Sequence, residues 1–205
     1  MTFKKNNYII VKNAVPKIVA YVAYHYLLLK REVYLKHIEH GKTIEHFGVM
    51  GDPVAGNTYC HYSDILMETL LLEMLPTMQK KTKLDLIPTY SYCRIYKNGD
   101  TLRRHKDRPS CAVSTTIKLG GDSWPIFLEP SGLKGKKGKK IKLETGDMLI
   151  YDGEKLEHWR EEFKGQECAQ VFLHYTEKKN KDLLFDTRPI AGLPINFRGK
   201  INGNK

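Results

Sequence analysis

The chain has 205 residues, 41% hydrophobic and 28% charged, with a formal net charge of +11. These are the proportions of a soluble globular protein with room for a substantial core, and one domain spanning 1–205 is expected. No apolar run approaches the roughly 20 residues that cross a bilayer, and Tyr8-Ile9-Ile10-Val11 is too short for a secretion-signal core, so a cytoplasmic protein with no membrane partner is expected.

Residues 15–40 form the first helical pattern: Val15, Val19, Val22, Ala23, Tyr26, Leu29, Val33 and Tyr34 fall near helical spacing, and Pro16 suits a first turn. Residues 41–61 contain Gly41, Gly48, Gly51, Pro53 and Gly56 and read as an irregular connection. A second helical pattern over 63–80 is expected to kink or end at Pro76. From Leu84 the texture changes to short β-like runs: Tyr90–Tyr96, Ala112–Leu119, Pro125–Leu128, Lys140–Leu143, Met148–Tyr151 and Cys168–Tyr175. Helices first and strands second predict an α+β, mainly β layout. Residues 1–83 would be helical support, 84–176 the β core, and 177–205 a tail packing back on that core.

The four cysteines, Cys60, Cys93, Cys111 and Cys168, are scattered, without a Cys-x-x-Cys pair. They read as reduced, buried thiols in a reducing compartment. Much of the excess charge sits at Lys134, Lys136, Lys137, Lys139, Lys140 and Lys142, interleaved with Gly132, Gly135 and Gly138. This pattern reads as a solvated, flexible hairpin loop, with contact to a polyanion such as nucleic acid as the alternative. No aromatic residue interleaves with these lysines in sequence, so a base-stacking platform is not indicated.

Catalytic chemistry points to His105-Lys106-Asp107. Strand residues i and i+2 share a face, so this imidazole and carboxylate can reach one metal ion. A third ligand is available at His158, after the strand-like Met148–Tyr151 and the turn Asp152-Gly153. Two histidines and a carboxylate compose the facial triad of non-haem Fe(II) oxygenases. His37 and His40 lack a third ligand and read as a solvated helix terminus, and Gly121-Asp122-Ser123-Trp124 reads as a turn.

Arg94-Ile95-Tyr96-Lys97-Asn98-Gly99 with His105-Lys106-Asp107, the strand Leu143–Tyr151 before His158, and Val171–Tyr175 together resemble the Fe(II)/2-oxoglutarate-dependent oxygenases, in their prolyl-4-hydroxylase-like branch. The resemblance covers about residues 86–176, and the compact chain is similar to small bacterial or bacteriophage-type members. It implies a double-stranded β-helix (jelly-roll) core with the N-terminal helices on one sheet. It also implies Fe(II) on His105, Asp107 and His158, with 2-oxoglutarate as co-substrate and O2 as oxidant. The implied reaction hydroxylates an unactivated C–H bond and converts 2-oxoglutarate to succinate and CO2. The implied substrate is a protein or peptide. The positive charge keeps a nucleic-acid-directed oxygenase as an alternative, and a non-enzymatic binding or virion-associated protein on the same fold is another.

The resemblance fails at one point. The family's cation nine to twelve residues past the distal histidine falls here on Glu167, Cys168, Ala169 and Gln170. Arg160, two residues past His158 and on the same face if extended, is the substitute anchor for the far carboxylate. Its alternative is a surface arginine paired to Glu161 or Glu162, and Lys118, Lys164 or Arg94 would then take the anchor role. Tyr96 matches a family tyrosine that bonds the co-substrate, and Ser114 and Thr116 are further candidates for it. Tyr92, Arg94, Arg108 and Trp159 are the candidate substrate and pocket residues.

Overall fold

The computed structural model describes residues 2–53 and 55–183. Its helices are α1 (Phe3–Asn6), α2 (Lys17–Glu39) and α3 (Ile65–Thr82). Its strands are β1 (Tyr8–Val11), β2 (Val49–Met50), β3 (Tyr59–Tyr62), β4 (Leu86–Lys97), β5 (Leu102–His105), β6 (Val113–Gly121), β7 (Ile126–Leu128), β8 (Lys139–Ile141), β9 (Met148–Asp152), β10 (His158–Arg160) and β11 (Glu167–Glu177). They form a seven-stranded sheet in the order β1-β9-β6-β11-β4-β3-β2 and a four-stranded sheet in the order β5-β10-β7-β8. Every pairing between them is antiparallel. This is the expected jelly roll: two facing sheets, with α2 and α3 covering the outer face of the larger one.

Side-chain alternation assigns the two faces of the large sheet. Cys93 and Ile95 on β4, Val113 and Ile117 on β6, Met148 and Ile150 on β9, and Val171 and Leu173 on β11 form one cluster with Ala20, Ala23 and Leu27 of α2 and Met67, Leu71 and Met78 of α3. The intervening residues point between the sheets. There they make two smaller apolar clusters, one around Leu128, Leu149 and Tyr151, the other around Tyr96, Trp124, Phe163 and Phe172. Each fully buried aliphatic or aromatic side chain contributes about 1.5–3 kcal/mol.

Four expectations are corrected. Pro76 does not end α3, which runs on to Thr82. Its buried stripe of Leu71, Leu75 and Met78 spans the proline, and packing outweighs a penalty of about 3 kcal/mol. Residues 1–83 are not only helical support. β1 zips onto β9 with Tyr8 opposite Tyr151, and β3 pairs with β4 from within the stretch read as an irregular connection. The Lys-rich stretch forms the expected hairpin, with β8 paired to β7 and its lysines exposed, but its loop is tied to the sheet by Arg104 and is not free. Trp159 faces away from the space between the sheets, as described below. The tail calls, Leu183-Leu184-Phe185 and Ile190–Ile195, lie mostly outside the described residues. No helix among the described residues is long and apolar enough to cross a membrane.

Candidate metal centre

β5 and β10 are neighbours in the four-stranded sheet, and their register sets His105 directly opposite His158. The two imidazole centroids lie 4.2 Å apart. Each ring is held by its Nδ1, at 2.7 Å from the Arg103 carbonyl for His105 and 3.2 Å from the Leu156 carbonyl for His158. A carbonyl only accepts, so Nδ1 carries the proton in both rings and Nε2 presents its lone pair, which on His158 lies 3.5 Å from the Tyr151 hydroxyl. Both Nε2 atoms converge on Asp107 Oδ1, at 3.7 Å from His105 and 3.5 Å from His158.

Asp107 is aimed by its backbone, whose N–H donates to the Gly153 carbonyl at 2.8 Å. A Cβ on Gly153 would come within 2.4 Å of Asp107 Oδ2, so only glycine leaves room for this carboxylate. Burial pushes the His158 imidazole below its ordinary value, and the Asp107 carboxylate opposes that shift.

A metal fits this donor set. One ligand atom from each residue lies within 4.8 Å of the others. An ion bound at about 2.1 Å needs its adjacent ligands about 3 Å apart, so the separations of 3.5 and 3.7 Å close by well under 1 Å. Asp107 Oδ2 is buried with no hydrogen-bond partner, an orphaned acceptor that a cation would satisfy. Three ligands on one face leave positions open for other molecules.

A cavity of about 460 Å³ opens over the three side chains. Of the residues expected at the site, Tyr92, Arg94 and Arg108 line it with the triad. Arg94 is bidentate to one oxygen of Asp52, at 2.6 and 2.9 Å, and Tyr92 donates to the same oxygen at 2.6 Å. Burial drives the Asp52 carboxyl up, but Arg94 and Tyr92 outweigh it and hold it below the usual carboxylate range. The Arg108 guanidinium donates to the Tyr90 hydroxyl at 3.2 Å.

Tyr96, Ser114, Thr116 and Arg160 are all buried on inward faces but lie outside the lining of this cavity. Ser114 Oγ donates to the Cys111 carbonyl at 2.9 Å and sits 2.8 Å from His174 Nδ1, while Thr116 donates to Gln170 at 3.0 Å. Tyr96 packs edge-on against Trp124, at 4.7 Å, and accepts from Arg94 at 3.1 Å.

Arg160 is not a surface residue paired to Glu161 or Glu162. It is 2% exposed, and among the described residues it has no acidic partner. It stacks on Trp124 with its guanidinium carbon 5.0 Å from the ring centroid, and its Nη1 donates to the Trp124 carbonyl. Nε and Nη2 have no acceptor. Burial pulls this guanidinium below its ordinary value, opposed only by the modest fields of Cys168, Tyr96 and Tyr151. Lys118 is also buried on the inward face of β6, with no acidic partner among the described residues. Lys164 is exposed and paired to Glu162 at 2.6 Å.

Trp159 is the misplaced candidate. It lies between inward His158 and inward Arg160, so it projects from the outer face of the small sheet, stacked on Phe127 at 5.5 Å. Sequence reasoning missed Asp52, whose loop carries no catalytic pattern, and passed over Trp124 inside a segment read as a turn. The need for glycine at 153 was hidden in what looked like ordinary turn chemistry.

No family model matches the chain, and no curated protein sequence does. Solved structures match at the level of fold. A Pseudomonas putida prolyl-4-hydroxylase superposes with a TM-score of 0.60 at 11% identity, over 86% of this chain and 95% of its own. HygX from Streptomyces hygroscopicus, with nickel and 2-oxoglutarate bound, gives 0.60 at 11% identity over 86% and 85%. A prolyl hydroxylase from Trichoplax adhaerens, in complex with a hypoxia inducible factor oxygen degradation domain peptide fragment, gives 0.63 at 13% identity over 88% of each chain. The chain thus has the double-stranded β-helix of the 2-oxoglutarate/Fe(II) oxygenases, with a His-Asp-His triad in its cavity.

Proposed function

We propose that the protein is an Fe(II)- and 2-oxoglutarate-dependent dioxygenase that hydroxylates an unactivated C–H bond. The observation that carries this reading is the convergence of both imidazole Nε2 atoms on Asp107 Oδ1 at the cavity floor, in a carboxylate whose other oxygen is buried without a hydrogen-bond partner. His105, Asp107 and His158 would hold Fe(II), and Arg160 would hold the far carboxylate of 2-oxoglutarate. Arg160 suits that role because its buried donors lack partners. Arg94, by contrast, is already neutralised by Asp52. Lys118 adds a second unneutralised cation, and Tyr96, Ser114 and Thr116 are placed inward to support the co-substrate. When bound, iron would activate O2, with 2-oxoglutarate giving two electrons as it becomes succinate and CO2 and the substrate C–H bond giving the other two, one oxygen atom going to each product.

The chain's own residues supply the setting. The Arg103 and Leu156 carbonyls fix the imidazole tautomers, and Gly153 makes room for Asp107. Tyr90, Tyr92, Tyr151 and Phe172 wall the cavity against water, and Arg94 and Arg108 line the space left for substrate. The substrate is proposed to be a protein or peptide segment, as in the peptide-bound prolyl hydroxylase of the same fold. Four free, buried cysteines support action in a reducing compartment, the cytoplasm.

Anaerobic titration with Fe(II), with and without 2-oxoglutarate, tests this. A weak visible metal-to-ligand charge-transfer band and succinate formation on admitting O2 are expected. Absence of both would overturn the reading. Arg160→Ala should raise the 2-oxoglutarate requirement about tenfold or more, because a charge-assisted bond is worth about 1.5–3 kcal/mol. An unchanged requirement would move the anchor to Lys118.

A further inference from the structure

The Lys-rich stretch lies on the outer face of the small sheet, and that face is built in rows across the strands. Phe127 on β7 is the register partner of Lys140 on β8, and of Trp159 on β10 on its other side. Phe127 and Trp159 are nearly parallel, 13° between planes. Beyond Trp159 comes Arg104 of β5, its guanidinium carbon 4.0 Å from the indole centroid. The row therefore reads cation, aromatic, aromatic, cation over three strand spacings, about 14 Å.

The stretch is clamped to this row. Arg104 donates to the Lys136 carbonyl at 2.6 Å and to Glu157 at 2.6 Å, and Glu157 in turn accepts the Gly135 N–H at 3.0 Å. Gly138 lies flat on Trp159, where a Cβ would meet the indole at 2.2 Å. Lys106, on the cavity wall, donates to the Gly132 carbonyl at 3.3 Å and joins this surface to the cavity mouth.

Arg104 is neutralised by Glu157, but the charge of the lysines above it is not. Of the six lysines from 134 to 142, only Lys142 has an acid near it among the described residues, Glu144 at 3.9 Å. Glu129, at the start of the loop, is buried and turned inward onto Ser131 and Leu133. With its backbone held on the aromatic floor, the loop has less freedom to lose when a polyanion binds its lysines.

We infer that the outer face of the four-stranded sheet is a nucleic-acid-binding surface, on which Lys136, Lys137, Lys140 and their neighbours grip a phosphate backbone without reading bases. Lys140 at the end of the row, with Lys136 and Lys137 on the loop clamped over it, offers charges to successive phosphates. The aromatic pair is half-buried under Arg104 and Gly138, so it serves as scaffold, and sequence preference is expected to be slight. This inference does not depend on the oxygenase reading.

The test is fluorescence anisotropy of the full chain with a labelled single-stranded oligonucleotide of about 20 nucleotides, from about 50 to 200 mM salt. Affinity should fall steeply with salt. In a Lys136→Ala/Lys137→Ala/Lys140→Ala variant the log–log slope should shrink by about 2, at about 0.7 per phosphate contact, and affinity should drop at least about tenfold. An unchanged thermal midpoint shows the variant folded, since all three side chains are exposed. No binding at low salt would overturn the inference, as would an unchanged slope in the variant. Capture by phosphatidylserine vesicles with none by the oligonucleotide would assign the surface to a membrane instead and also overturn it.

Discussion

Two buried polar clusters lie on opposite faces of the same seven-stranded sheet, and they are built on opposite plans. On the helix side, Asp64 Oδ2 accepts from Lys30 at 2.5 Å, Tyr26 at 2.8 Å and His61 at 3.2 Å. Its other oxygen caps α3 through the N–H groups of Leu66 and Met67. Between the sheets, Arg160 keeps two donor atoms without acceptors and Asp107 keeps an acceptor without a donor. Each unsatisfied buried group costs about 1–3 kcal/mol. A fold that completes one cluster and leaves the other open is using the first to hold α2 and α3 to the sheet. The second keeps its valences for something that arrives later.

Three perturbations sharpen or break that contrast, beginning with the largest. Lys30→Leu strands the Asp64 carboxylate and should cost about 3–5 kcal/mol in denaturant unfolding, with metal affinity intact. A cost below about 1 kcal/mol would show that the closed cluster is not what holds the helices. Asp107→Ala should abolish the stabilisation that a redox-silent divalent ion such as Mn(II) gives the wild type, about 2.7 kcal/mol at a hundredfold excess over Kd, read as a thermal shift. Arg160→Leu should do the opposite of Lys30→Leu. Removing an unpaired buried cation should leave stability unchanged or raise it by about 1–2 kcal/mol, while the co-substrate requirement worsens. If Arg160→Leu destabilises as much as Lys30→Leu, the interior cluster is structural after all.

The pH response separates the clusters by sign. Burial pushes the Asp64 carboxyl up, but the bonds from His61, Lys30 and Tyr26 outweigh it and hold it well below the usual carboxylate range. Its stabilisation is therefore fully present above the unfolded carboxylate value. It is lost progressively as pH falls below about 4 toward the depressed folded value. Asp64→Asn should flatten that acid limb of the stability curve, measured by denaturant midpoints across pH, and a limb of unchanged steepness would assign acid sensitivity elsewhere.

Much of the metal centre was legible because period-two alternation and cross-strand register act on neighbouring residues. His105-x-Asp107, and Arg160 two residues past His158, carry their shared face in their spacing. Tyr92, Arg94 and Tyr96, spaced two apart on β4, share their inward face for the same reason. Trp159 was misread because being next to a ligand in sequence places a strand residue on the opposite face. What remained hidden depends on contacts distant in sequence. Asp52 reaches Arg94 across 42 residues. The aromatic floor under the lysines assembles from Phe127 and Trp159, neither of which adjoins them in the chain. The course of α3 through Pro76 was settled by the sheet beneath it and not by local propensity.

The position of β11 has a kinetic consequence. It is the last strand of the described chain, yet it sits in the middle of the large sheet, between β6 and β4. Until residues 167–177 leave the ribosome, β4 and β6 each present a long unpaired edge, and the surface that α2 and α3 cover is split. All three candidate iron ligands are made earlier, but the sheet behind them cannot close. Productive folding of this protein is thus a late event with high contact order. Its nascent and truncated forms are the species most exposed to edge-to-edge aggregation.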